Sequence, residues 1–229
     1  MFSSIVLTVL RKLTFVVLMV LLFLSSLNFT SNIKRMEEDH EKVTSIAHEV
    51  SGFESSLKID SARMAAILKI KGIMIRYNKQ LTETDKDEIA NEIYLMSVKY
   101  DNLDVDLICA TITHESARSW RSDVISPAGA MGLMQIMPHT GSFLSKHEGI
   151  DWTSAEDILY NPIYNIRMGC RYLSMLIELY HIDGGLAAYN GGERRAAKWL
   201  ASGRNDDVLF EETRGYVPAV LKLYDTYKN

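Results

Sequence analysis

The chain has 229 residues, enough for one domain of ordinary size plus an appendage. Its net charge of -4 and pI near 5.9 argue against a nucleic-acid binder, which carries a basic surface, so any attraction to an anionic polymer must be local. The two cysteines, Cys109 and Cys170, make no zinc-type cluster with histidine, no glycine-rich phosphate loop occurs, and neither cysteine ends the N-terminal apolar run, which excludes a lipid-modified cysteine there.

Leu13 to Leu24 is apolar except for Thr14, and the run extends with polar interruptions to Phe29. Arg11 and Lys12 precede it, so residues 1–30 read as an export signal. The 17 residues from Leu13 to Phe29 fall short of the roughly 20 that a span needs. No Ala-x-Ala cleavage site follows. An uncleaved anchor, holding the membrane through residues 13–29, is preferred to a cleaved signal peptide. Arg11 and Lys12 favour a cytoplasmic N-terminus, although Lys34 and Arg35 on the other flank weaken the bias.

Residues 31–80 read as a helical stalk. Met36, Val43, Ile46, Val50, Phe53 and Leu57 fall at spacings of 7, 3, 4, 3 and 4, which is a narrow apolar seam on a helix. Two readings are open: self-association through residues 36–57, or a helix packed on its own domain. Gly52 interrupts the seam. A second helix is expected from Ser61 to about Tyr77, with Met64, Ile67, Leu68, Ile70 and Met74 apolar.

Residues 81–229 carry a succession of short helices. Thr82 with Asp85 three residues on is a helix start, and Ile89, Ile93 and Met96 mark the apolar face that follows. Val105 to about Ser116 is the helix that matters most. Ile108, Ile112 and Glu115 are spaced 4 and 3 apart, so Glu115 continues an apolar stripe. A carboxylate there is costly unless it is paired or protonated. A short helix follows Pro138. Asn161-Pro162 reads as a cap plus a first-turn proline, opening a helix expected to end at Gly184-Gly185. Leu186 to Asn190, Arg194 to Leu200 and Glu212 to Tyr227 complete the set. No alternating strand of convincing length occurs, so the fold class is all-α.

Within this region Glu115-Ser116, Ser126-Pro127-x-Gly129-Ala130-x-Gly132-Leu133-Met134-Gln135 and Ala188-Tyr189-Asn190 stand in order over roughly 75 residues. In these motifs the chain resembles the lytic transglycosylases of the soluble-lytic-transglycosylase-like family. Asn161-Pro162, Gly169-x-x-Tyr172-Leu173 and Glu212-Thr213-Arg214-x-Tyr216-Val217 fit the resemblance more loosely. It implies a lysozyme-like fold that cleaves peptidoglycan, without a metal or cofactor. With the export signal and anchor read at residues 1–30, the expected location is the cell envelope, at the periplasmic face of an inner membrane. The connection from Glu115 to Ser126 is longer than the family pattern, with Ala117 to Ser119 holding the excess beside the cleft.

Protonating a glycosidic oxygen requires a carboxylic acid that keeps its proton near neutral pH, and burial against apolar groups achieves this. Glu115 is the expected acid, with Ile112, Met134, Ile136 and Tyr189 as its apolar wall. The resemblance implies that Ser116 orients the acid, and that Met134, Gln135, Tyr189 and Asn190 contact the sugar chain. The Tyr189 hydroxyl is expected beside Glu115, and Gly132 is expected to let backbone approach a sugar. Candidates for the second carboxylate of an ordinary glycosidase are Asp123, Asp151, Glu156 and Asp157, none of them in a motif. The resemblance implies that none is needed, because the glutamate takes a proton from the muramoyl C6 hydroxyl and a 1,6-anhydro sugar forms. Two other readings remain: a hydrolase like the goose-type lysozymes, and a wall-binding module that does not cut. Cys109 and Cys170 are expected to be buried, as two free thiols in preference to a disulfide.

Overall fold

The architecture comes from a computed structural model that describes residues 2–229, except the side chains of residues 2–11, 13, 27, 28, 31 and 55. Its helices are α1 (Phe2–Tyr77), α2 (Glu83–Lys99), α3 (Val105–Glu115), α4 (Pro138–Glu148), α5 (Ala155–Leu159), α6 (Pro162–Gly191), α7 (Glu193–Ala201) and α8 (Glu211–Lys228). A 3-10 turn, Asp206–Val208, precedes α8. Among the described residues the only β structure is a pair of isolated bridges, Ile125 with Met131 and Met131 with Ile136. The all-helical expectation holds.

The chain divides into two units, Met1–Ser61 and Ala62–Asn229. In the first, the apolar side chains from Phe15 to Leu24 are exposed. Among the described residues no helix is long and apolar enough to cross a membrane. The expected anchor includes Leu13, Leu27 and Asn28, whose side chains lie outside the described set. The seam Met36, Val43, Ile46, Val50, Phe53 and Leu57 is also exposed, from 52% at Val50 and Leu57 to 72% at Met36, so it packs on nothing in its own unit.

The second unit begins earlier than the sequence reading drew it. Ile70, Ile73 and Met74, assigned above to the stalk, are buried in its core. Their spacing of 3 and 1, with Ile67 packed beside them, makes one face of the last turns of α1 apolar. Lys69 and Lys71 on that stretch reach Asp106 and Asp87 at 2.7 and 2.6 Å.

Helix starts follow the sequence signals. Thr82 Oγ1 accepts from Asp85 N and donates to the Asp85 carboxylate. Asp104 caps α3 by accepting from Leu107 N, and Asn161 caps α6 by accepting from Ile163 N and Tyr164 N. α3 is the centre of the unit, buried from Asp106 through Thr113, and packs against α2 and α8. α6 packs against α2, α4, α7 and α8.

α6 corrects one expectation. It does not end at Gly184-Gly185 but breaks at His181, which has φ 61° and ψ -179°, and then continues helically to Gly191. The glycines are there for contact. A Cβ at Gly185 would stand 2.7 Å from Ile177 Cγ1 and 2.9 Å from the Ile177 backbone, so only glycine lets the chain fold back this closely. The break turns the residues after it, Leu186 to Asn190, back toward the end of α3. Cys109 and Cys170 are both buried and unbonded.

Candidate active site

Glu115 is the last residue of α3. Ile112 and Ile108, one and two turns behind it, are fully buried, so the glutamate projects from the core stripe where the helix runs out. The residue itself is half-buried because one side opens on a cleft, while protein atoms crowd its carboxyl closely. Tyr216, on α8, donates its hydroxyl to Glu115 Oε1 at 2.6 Å. The Tyr216 ring meets His114 edge-on, with centroids 4.8 Å apart.

This environment sets the acid's chemistry. Burial pushes the Glu115 carboxyl up from 4.5 to about 7. The Tyr216 hydrogen bond opposes this by favouring the carboxylate, and the charge of Glu212 adds to the rise. Burial holds the Tyr216 hydroxyl well above its usual range, with the charge of Glu115 adding to it, so Tyr216 remains a donor.

The cleft has a volume of about 350 Å³. His114, Glu115 and Ser126 line it, with Ala128, Ala130, Gln135, Met137, Tyr189, Asn190, Glu212 and Tyr216. Its wall after Ser126 is a tight turn. Ser126 Oγ accepts from Ala130 N, and Gly129 and Gly132 take φ of 88° and 81°. Gln135 also sits at positive φ, 47°. Its Nε2 donates to Val124 O and Gly132 O, so the side-chain carbonyl oxygen is what it can offer a ligand.

The turn is held by Asn165, a residue the sequence reading passed over. Asn165 Oδ1 accepts from Met134 N at 2.7 Å, and its Nδ2 donates to Met131 O and Leu159 O, each at 2.9 Å. Gly132 serves the same contact. A Cβ there would stand 2.2 Å from Asn165 Nδ2 and 2.3 Å from Leu159 O. The close approach that the structure shows for it is to protein.

Three further expectations change. The Tyr189 hydroxyl shares the cleft with Glu115 and feels its charge, but it donates its hydrogen bond to Met134 O at 2.8 Å, and Tyr216 makes the bond to the acid. Met134 is fully buried, with its sulfur against Gly169 and Cys170, so it forms wall behind the cleft and does not line it. Ser116 is buried too, and its Oγ accepts from Trp120 N. That bond ties down the connecting turn, in which Ala117, Arg118 and Trp120 all adopt positive φ, and Trp120 is buried with its indole N–H on Thr113 Oγ1. The extra residues therefore close on the core through Trp120.

Asn190 does line the cleft. Its Oδ1 accepts from Thr213 Oγ1 at 2.7 Å, and its Nδ2 lies 3.4 Å from Glu212 Oε1. Glu212 is the carboxylate that shares the cleft with Glu115. Asp123 is instead paired with Arg121 on the surface, and Asp151, Glu156 and Asp157 do not line the cleft. Tyr216 and Glu212 stood in a loosely matching pattern, four residues apart, the spacing of neighbours on one helix face. Among the described residues no three metal-binding side chains converge.

The arrangement is a single carboxyl poised near neutrality, held by one phenol, at the end of a polar cleft. It can give a proton and take one back.

Comparison with known proteins places these features. The family model of the Transglycosylase SLT domain matches residues 94–208. The soluble lytic murein transglycosylase of Escherichia coli K12 is 41% identical over 128 residues, covering 52% of this chain and 19% of that protein. The membrane-bound lytic murein transglycosylase C of Histophilus somni strain 2336 is 35% identical over 135 residues, covering 54% of this chain and 36% of that one. Among solved structures, the 70 kDa soluble lytic transglycosylase of Escherichia coli superposes with a TM-score of 0.52 at 34% identity, over 60% of this chain and 23% of that one. The chain thus spans about a fifth of the length of the soluble relatives it matches.

Proposed function

This chain belongs to the Transglycosylase SLT domain family, and from that premise we propose that it is a peptidoglycan lytic transglycosylase with Glu115 as its only acid and base. The observation that carries this reading is the carboxyl of Glu115, held near pH 7 by burial and hydrogen-bonded by Tyr216 at the head of the cleft. A group titrating there is matched to both halves of the reaction.

In the first half, Glu115 gives its proton to the glycosidic oxygen between N-acetylmuramoyl C1 and the following N-acetylglucosamine. The C1–O bond breaks, and positive charge develops on the muramoyl ring. Glu115 is now a carboxylate in a poorly solvated position. In the second half it takes the proton of the C6 hydroxyl of the same muramoyl residue, O6 bonds to C1, and the 1,6-anhydro product leaves. No water is consumed. The tethered hydroxyl has a far higher effective concentration than an unpositioned water. Tyr216 holds the carboxyl during both transfers. Gln135 and Asn190 orient the sugar chain, and Tyr189 stiffens the wall by tying α6 to Met134 O.

One observation favours a second reading. Glu212 lines the same cleft, and hydrolytic glycosidases work with a carboxylate pair that positions water. Digestion of purified wall in heavy-oxygen water separates the two. Unlabelled 1,6-anhydromuropeptides are expected. Label at the new muramoyl terminus would make the chain a hydrolase, and absence of any cleavage would leave a wall-binding module.

Envelope location at the periplasmic face of an inner membrane, with anchoring through residues 13–29, is part of the same proposal. The exposed apolar run from Phe15 to Leu24 supports it. Self-association through residues 36–57 is supported by the exposed seam, in which Met36, Val43, Val50 and Leu57 recur at intervals of seven. Recovery of a soluble species starting near residue 30 would overturn the anchor. A purely monomeric full chain in detergent would overturn the association.

A further inference from the structure

α7 starts three residues beyond Asn190, on the far side of Gly192. It carries Arg194, Arg195 and Lys198, which line a second cavity of about 590 Å³ together with Asp207 and Val208. Three cations against one carboxylate leave this lining with an excess of two positive charges, in a chain whose net charge is -4.

The cations are not spent on the protein. Among the described residues none of the three has a carboxylate within ion-pair distance. Arg195 is fixed in place: its Nη1 donates to Val208 O at 3.0 Å and its guanidinium lies 3.5 Å over the Phe210 ring. Its remaining N–H groups keep their fork geometry, the geometry that matches a carboxylate. Arg194 and Lys198 are exposed and stand four residues apart on α7, so their charges repel along one face. A cavity with one preorganised guanidinium and two further cations is built to receive an anion.

The cavity's distance from the cleft is bounded by the chain itself. Asn190 lines the cleft and Arg194 lies four residues on, so their Cα atoms are at most about 14 Å apart. In peptidoglycan the muramoyl residue carries a lactyl-linked stem peptide with several free carboxylates. Four to five extended residues at about 3.4 Å each cover that distance. We propose that the Arg194–Arg195–Lys198 cavity is a subsite for the stem-peptide carboxylates, so that this chain prefers peptide-bearing glycan to bare strands. The proposal rests on the transglycosylase reading and names a second point at which the same substrate is held.

The test uses the full chain and two substrates, wall glycan with its stem peptides and the same glycan stripped by an amidase. The quantity read is the ratio of kcat/KM on the two. The wild-type ratio is expected at about ten or more, since one charge-assisted contact is worth roughly that factor. The double variant Arg194→Ala/Lys198→Ala should bring the ratio near one, mainly through KM on the peptide-bearing substrate. Arg194→Lys/Lys198→Arg should keep it. Arg195 is left intact because it also holds the 3-10 turn. A wild-type ratio near one, or an equal loss on both substrates, would overturn the proposal. Calorimetry with an isolated stem tripeptide gives a reading that does not depend on turnover: binding to the wild type and not to the alanine variant is expected. If the wild type cleaves neither substrate, the transglycosylase reading fails, and calorimetry still decides the cavity. Binding of phosphatidylglycerol vesicles that the alanine substitutions abolish, without tripeptide binding, would assign the cavity to a membrane surface and overturn the proposal.

Discussion

The Tyr216 hydroxyl donates to Glu115 Oε1 at 2.6 Å, across 101 residues of sequence. This bond joins the end of α3 to α8 and fixes the proposed acid in one orientation. It also opposes burial in setting the proton affinity of the carboxyl.

Glu115→Gln is expected to lower turnover of purified wall by more than about a hundredfold, the range of general-acid roles. The amide keeps the shape of the carboxyl and can still accept from Tyr216, so the fold should persist. Muropeptide release and far-UV circular dichroism check the two halves. Activity near that of the wild type would remove Glu115 from the mechanism.

Tyr216→Phe is expected to shift the pH dependence of kcat/KM. The phenol favours the carboxylate form of Glu115, so its removal leaves burial less opposed and raises the pKa of the acid above about 7. The free enzyme must carry the proton to act. Activity therefore falls as pH rises through that pKa, and in the variant the fall should come at higher pH. A loss of about tenfold in kcat should accompany it, from the freed carboxyl orientation. A pH profile that superposes on the wild type after scaling would show that Tyr216 is only a packing residue.

The raised pKa of Glu115 also has a stability signature. The folded state holds this proton up to about pH 7, whereas the unfolded chain releases it near 4.5. Between those values the folded state binds more protons, so stability falls as pH rises through the window, and the cost is complete above it. It is bounded by roughly 3 kcal/mol. Glu115→Gln removes the titration. The variant should therefore gain Tm over the wild type from pH 4.5 to pH 8, and a pH-independent difference would argue against a buried protonated acid.

Gly132→Ala and Asn165→Leu should each destabilise the second unit by about 3 kcal/mol or more, the range for buried clashes and unpaired buried polar groups. The first puts a methyl group 2.2 Å from Asn165 Nδ2 at φ +81°. The second leaves Met134 N, Met131 O and Leu159 O without their partner. Urea unfolding measures both. Loss of activity with unchanged stability at Gly132 would point to a role in sugar contact.

The amino-acid sequence by itself determined what depends on neighbours within a turn or two. Apolar spacing put Glu115 on the buried stripe of α3, and Thr82 and Asn161-Pro162 marked helix starts that the structure keeps. The motifs around Glu115, Gln135 and Asn190 identified the cleft, because residue types at short fixed offsets survive in a linear reading. Tertiary structure decided everything set by packing between distant segments. Which phenol bonds to Glu115 depends on how α8 crosses α3: the crossing gives that bond to Tyr216 and leaves Tyr189 to Met134 O. Gly184-Gly185 looked like a helix end, yet they lie inside a helix because Ile177 needs the space a Cβ would fill. Gly132 and Asn165 are 33 residues apart, and only the packed core shows that they are one device. Local patterns report the backbone and the buried face. Hydrogen-bond partners and carboxyl proton affinities are fixed by contacts that exist only once the chain has closed on itself.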